Sequence, residues 1–159
     1  MSNKVKPIPA GYHTLTPYLC IRGATEAIEF YKRAFGAKEL LRMDAPGGKI
    51  GHAEIQIGDS RIMLADEFPE MPDLILKSPQ TLGAASGGLC LYVEDVDALF
   101  KRAVDAGAVV KRPLTDQFYG DRSATLEDPS GHIWTISQHV EDVSPEEIQK
   151  RLAEMPGQG

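Results

Sequence analysis

The sequence predicts an α+β protein made of tandem βαβββ modules, with a helix at the C-terminal end. Three observations predict it. Short runs of residues alternate apolar and polar between Gly and Pro breaks, as half-buried strands do. Two stretches switch to helical spacing and end on a glycine. The order of elements in residues 14–67 returns in residues 87–139.

The first copy reads as follows. Leu15 to Ile21 alternates as a strand, with Leu15, Pro17, Leu19 and Ile21 on the apolar side and Thr16, Tyr18 and Cys20 on the other. Ala24, Ala27, Ile28, Tyr31 and Phe35 recur at helical spacing, and Gly36 stands where a helix ends. Ala37 to Met43 is a second strand, and Pro46-Gly-Gly48 a turn. His52 to Ile57 alternates, with Ala53, Ile55 and Ile57 toward the helix and His52, Glu54 and Gln56 away from it. Gly58-Asp59 turns the chain into a fourth strand, Arg61 to Ala65.

The second copy repeats this order. Leu89 to Val93 is a strand, and Asp95 caps a helix carrying Val96, Leu99, Phe100 and Ala103 that stops at Gly107. Ala108 to Leu114, Ser123 to Leu126 and Ile133 to Ile136 are strands. A constant shift of 71 positions places Ala27 on Ala98, Ile28 on Leu99, Gly36 on Gly107, Ala53 on Ala124 and Ile62 on Ile133. A gap-free register across a helix and three strands marks an internal duplication. Residues 68–86 then form a linker that crosses over a cavity, and residues 140–159 a tail. In the tail, Ser144-Pro-Glu-Glu147 is a capping box, and Ile148, Leu152 and Met155 give the helix one apolar stripe.

Composition sets the class. The 159 residues are 42% hydrophobic and 25% charged, ordinary for a folded domain. The formal charge of −6 argues against nucleic acid and anionic membrane surfaces as partners. No apolar run approaches the ~18 residues of a membrane span, and Met1 to Ala10 lacks the apolar stretch of a signal peptide. A cytoplasmic location is the expectation. Cys20 and Cys90 fall within apolar strand patterns and read as reduced and buried.

Two phrases carry a family resemblance. Ala27-Ile-Glu-Phe-Tyr-Lys-Arg-Ala-Phe-Gly-Ala37 resembles the first-helix phrase of the vicinal oxygen chelate superfamily. Asp128-Pro-Ser-Gly-His-Ile-Trp134 resembles its last hairpin, with Ser130 where an aromatic is usual. That group includes glyoxalase I, bleomycin-resistance proteins, fosfomycin-resistance enzymes and extradiol dioxygenases. His52-Ala-Glu54 and Phe118-Tyr-Gly-Asp-Arg122 resemble its PhnB-like branch, sometimes labelled 3-demethylubiquinone methyltransferase-like. The resemblance implies two modules forming a curved mixed sheet around a cavity, each half of one cup, pairing as a homodimer, and metal ligands on the first and fourth strands of each module. Carried over, those ligand positions hold Thr16, Leu64 (give or take a residue), Gly87 or Gly88, and Thr135. None is an imidazole, carboxylate or thiolate, so the usual metal site is expected to be missing, and no cofactor is expected.

Alternation then names the cup lining. His52 and Glu54 are the candidate catalytic pair, two apart on one face with Cβ atoms roughly 6–7 Å apart. An imidazole titrates near neutrality and suits a general base, with Glu54 orienting it. Read structurally, the same pair is a solvated strand face; a third reading is an atypical metal held by the two. Thr16, Tyr18, Gln56, Tyr119, Arg122, Thr125 and Thr135 are candidate ligand-binding residues. Arg122 either clamps an anionic group or pairs with Asp121 or Asp128. Trp134 reads as core, and His13, His132 and His139 are given no role. The expected function is binding of a small organic molecule without a metal. The alternatives are a metal-free or atypical-metal isomerase or lyase using His52 and Glu54, and a scaffold with no ligand.

Overall fold

The structure is a computed structural model that describes residues 5–156. The elements run β1 (Tyr18–Ile21), α1 (Ala24–Phe35), β2 (Lys38–Ala45), β3 (Lys49–Ile57), β4 (Ser60–Asp66), α2 (Pro79–Leu82), β5 (Gly88–Tyr92), α3 (Val96–Asp105), β6 (Val109–Asp116), β7 (Asp121–Glu127), β8 (Ile133–His139) and α4 (Pro145–Glu154). They form two four-stranded mixed sheets, ordered β1-β4-β3-β2 and β5-β8-β7-β6. In each sheet the first strand pairs in parallel with the fourth, and the other neighbours are antiparallel. The chain separates into two units, one ending at Ser86 and including Pro129–Gly131, the other holding the remainder from Gly87.

In the first unit α1 lays Ala27, Ile28, Phe30, Tyr31 and Ala34 onto the sheet, where they meet buried Ile55 and Leu64. Phe30, Tyr31 and Phe35 pack ring against ring at 5.6–6.1 Å between centroids. Gly36 ends the helix with φ 67°, and the Ala37 N–H reaches back to the Tyr31 carbonyl. The start of α1 has no side-chain cap of its own, since residue 23 is glycine. Asp66, at the end of β4, does that work: Oδ1 accepts the N–H groups of Gly23 and Ala24 at 2.9 and 3.0 Å, and Oδ2 that of Ile50 at 2.7 Å.

In the second unit Val96, Leu99 and Ala103 of α3 bury against Ala124, Leu126, Trp134 and Ile136. Asp95 caps α3 by accepting the Ala98 N–H. Trp134 is 2% exposed, and its indole N–H donates to Asp128, which also accepts the His132 N–H across the turn. Ser144 caps α4, as its sequence pattern predicts. Arg151 then ties that helix to the Phe118 carbonyl and the Glu141 carboxylate.

Several expectations need correction. The first strand begins at Tyr18, not Leu15, which is 85% exposed. Pro17 has no N–H to give a ladder, and its carbonyl makes the last contact, accepting the Met63 N–H. Cys90 is exposed: it lies on the side of β5 away from α3, where its sulfur meets the Ser137 hydroxyl at 3.9 Å. Within residues 68–86, Ser78 is buried and caps the short helix α2.

Candidate functional site

The face of the first sheet opposite α1 carries a connected set of polar side chains. Period-2 alternation puts Ala53 and Ile55 under the helix, so His52, Glu54 and Gln56 project from the other side. Register brings Tyr18 of β1 and Glu54 of β3 to opposite sides of Met63, and Arg61 beside Gln56. These neighbours join in a chain. The Tyr18 hydroxyl meets His52 Nδ1 at 2.9 Å, and His52 Nε2 meets Glu54 Oε1 at 3.2 Å. The other oxygen of Glu54 accepts the hydroxyl of Tyr12, and the Arg61 guanidinium lies 4.6 Å over the Tyr12 ring. Both ring nitrogens of His52 are therefore engaged.

The electrostatics follow from these contacts. The Tyr12 hydroxyl, and after it His52, hold the Glu54 carboxyl below its ordinary value against the opposing effect of burial. Burial pushes the Tyr12 phenol up, and its bond to Glu54 adds to that. Burial also raises the Tyr18 phenol. A carboxylate, two un-ionised phenols and a guanidinium thus meet on one sheet face.

Sequence reasoning found His52, Glu54 and Tyr18 but missed Tyr12 and Arg61. Arg61 was legible: it stands two residues before Met63 on the same strand, so alternation gives it the same face. Tyr12 had no signal, because it lies in an irregular segment ahead of the first strand. Thr16 lies in that segment too, where it lines a cavity of about 540 Å³ with Tyr12, Glu54 and Met63. Gln56 shares the face, but its amide is spent on the Gly58 carbonyl at 2.9 Å.

The remaining candidates fall in the second unit. Thr125 and Thr135 are paired neighbours of β7 and β8, and Cys90 lies beside Thr135. Tyr119 sits in the turn before β7, edge-on to Phe118 at 5.2 Å. Arg122 alternates with Ser123 and so shares the α3 side with Ala124. Asp97 of α3 binds its guanidinium in bidentate fashion, at 3.0 and 2.8 Å, and Asp116 adds a third bond. The expected Arg122 pairs with Asp121 or Asp128 give way to these, because both carboxylates are engaged elsewhere. Asp128 holds Trp134, and Asp121 accepts from the Tyr92 hydroxyl at 2.6 Å and lies 2.8 Å from His139 Nδ1. The bond to Asp121, with burial, pushes the Tyr92 phenol up to about 12.

The positions that the family resemblance assigns to metal ligands do not fit a divalent ion. Leu64 is fully buried on the helix side of β4, and its neighbour on the opposite face is Met63. Thr16, Gly88 and Thr135 supply no strong donor. Around His52 and Glu54 the next partners are phenols, and among the described residues no three His, Cys, Asp or Glu side chains gather.

A glyoxalase fold with a polar sheet face is the class that these features define, and sequence comparison agrees. The model of the Glyoxalase/Bleomycin resistance protein/Dioxygenase superfamily matches residues 13–136, and the chain belongs to that superfamily. It is 43% identical over 139 residues to uncharacterized proteins of Mycobacterium bovis and Mycobacterium tuberculosis, which covers 87% of this chain and 91% and 82% of theirs. TioX from Micromonospora superposes with a TM-score of 0.61 at 28% identity, over 79% of this chain and 98% of that one. The fosfomycin resistance protein FosX of Listeria monocytogenes, solved with manganese(II) and a dihydroxypropylphosphonic acid, shares the fold at a TM-score of 0.60 and 16% identity, over 86% and 94% of the two chains. No described helix is long and apolar enough to cross a membrane.

Proposed function

We propose that this chain binds a small organic molecule on the face of its first module that carries Tyr12, Tyr18, His52 and Glu54, and that it does so without the metal site of its superfamily. The cavity beside Glu54 supports the reading. Its volume of about 540 Å³ suits a small molecule, and its wall holds a carboxylate fixed on both oxygens. A carboxylate kept ionised in a half-buried setting selects a guest with a cationic or hydrogen-bond-donating end. The net charge of −6 favours approach of such a guest.

Binding is favoured over proton abstraction by His52. A general base needs a free lone pair facing its substrate, and Tyr18 and Glu54 take both ring nitrogens. The isomerase or lyase reading therefore requires one of these bonds to open first. The PhnB-like words at His52-Ala-Glu54 and Phe118 to Arg122, and pairing as a homodimer, belong to the same proposal; sedimentation tests the pairing. For the binding itself, calorimetric titration with a panel of amphipathic amines should give saturable heat that falls about tenfold in affinity in Glu54→Gln. No heat from any member of the panel would sink the reading.

A further inference from the structure

We propose a second binding site beneath the linker that takes a neutral apolar group, an aromatic ring or a short branched alkyl chain. It rests on the proposed ligand-binding role in one respect only, that the two sites share Tyr18. The hollow measures about 240 Å³. Its floor is Tyr18 and Cys20 of β1 with Ala65 of β4, and its roof is Leu74, Ile75 and Leu76 of the linker. The volume falls below the range that a drug-sized molecule fills, about 300–1,000 Å³, and suits a single ring.

The roof is pinned on its C-terminal side. Glu67, directly after β4, accepts hydrogen bonds from the hydroxyls of Ser78 and Thr81 and pairs with Arg22 at 3.3 Å. The Cys20 thiol donates to the Leu76 carbonyl at 3.5 Å. On the N-terminal side two backbone turns lead into the roof, the Met71 N–H meeting the Phe68 carbonyl and the Leu74 N–H the Met71 carbonyl. The roof leaves Leu74, Ile75 and Leu76 between 44% and 90% exposed. Apolar side chains exposed in the roof over a floor of Tyr18, Cys20 and Ala65 gain from anything apolar placed between them, at about 25 cal/mol per Å² removed from water.

The hollow also excludes charge. Asp66 and Glu67 stand at its rim, but Asp66 spends both oxygens on backbone N–H groups and Glu67 is held by Ser78, Thr81 and Arg22. Burial raises the Cys20 thiol and so keeps it neutral. The Tyr18 hydroxyl is the polar handle, and its other contact is His52. A molecule with an apolar body under the linker and a basic end at Glu54 would use both sites.

Indole, which is small, neutral and aromatic, is the probe. Titrated into the isotope-labelled full chain, it should give saturable shifts at the methyl groups of Ala65, Leu74, Ile75 and Leu76. Ala65→Phe fills the floor and should weaken indole about tenfold or more. If that variant loses the native spectrum, Ile75→Asp decides instead: its side chain is 90% exposed, so the fold tolerates it, and the charge at the rim should weaken indole. Shifts that fail to saturate, that lie elsewhere, or that persist at unchanged affinity in the deciding variant overturn the proposal. Glu54→Gln should leave indole binding within about twofold. Indole binding without amines would therefore sink only the earlier reading, and amines without indole only this one.

Discussion

Asp66 closes the first turn of α1 from the far end of the module: its Oδ1 accepts the Ala24 N–H at 3.0 Å, across 42 residues of chain. The contact joins β1, α1, β3 and β4 at one buried carboxylate. Asp66→Ala leaves two buried N–H groups, of Ala24 and Ile50, and the half-buried one of Gly23 without their acceptor, and should cost about 2–4 kcal/mol, read as a lower urea midpoint with unchanged slope. Asp66→Asn turns an amide toward the Ile50 N–H or toward the helix, and should cost about 1–3 kcal/mol. A neutral result for Asp66→Ala would remove the capping role.

Glu67 gives the first unit an acid-sensitive latch. Burial opposes its charge, but hydrogen bonds from Ser78 and Thr81, with Arg22, outweigh burial and bring its carboxyl from 4.5 down to about 2. A depressed folded value contributes stability that is whole above pH 4.5 and lost as pH falls toward 2. Glu67→Gln should flatten that part of the acid unfolding profile. An identical profile in the variant would show that the latch carries nothing.

The Tyr12 hydroxyl is the largest influence keeping Glu54 ionised. Tyr12→Phe removes it and leaves burial opposed only by His52 and Arg61. The Glu54 carboxyl should then titrate at higher pH than in the parent chain, followed by carbon NMR of the labelled side chain. No upward movement would mean that the contact is not maintained in solution.

His139 stands between Asp121 and Asp142, with 2.8 Å to each, and both bonds raise its titration above 6.5, Asp121 the more. A raised folded value contributes stability that is whole below the ordinary histidine value and lost as pH climbs through the folded one. His139→Gln should remove this alkaline loss, measured as urea midpoints on either side of neutrality. Parallel pH profiles for parent and variant would contradict it.

The architecture was legible because burial alternates where the residues alternate. Ala53, Ile55 and Leu64 face the helix; Ala124 and Leu126 repeat the first two 71 positions later, and Trp134 repeats Leu64 after 70, so the constant shift slips by one residue in the fourth strand. His52, Glu54 and Tyr18 followed from the same period. What stayed hidden was contact set by tertiary geometry. Nothing near Asp66 in sequence announces that it caps α1, and Tyr12 reaches Glu54 only because an irregular segment crosses the sheet. His139 looked like a bystander until β8 brought it opposite Asp121. Cys90 resembled a core residue because alternation names two faces, not which of them is covered.

The crossing segment also decides where the molecule tolerates attachment. Gly11 has φ 82°, and a side-chain carbon there would run into the Arg61 guanidinium. Tyr12, next in the chain, is both a wall of the cavity and a partner of its carboxylate. An affinity handle or fusion partner joined upstream therefore pulls on the site itself, whereas one joined after α4 is anchored to the other unit. Two versions of the protein that differ only in the end carrying the handle are not interchangeable in a binding assay.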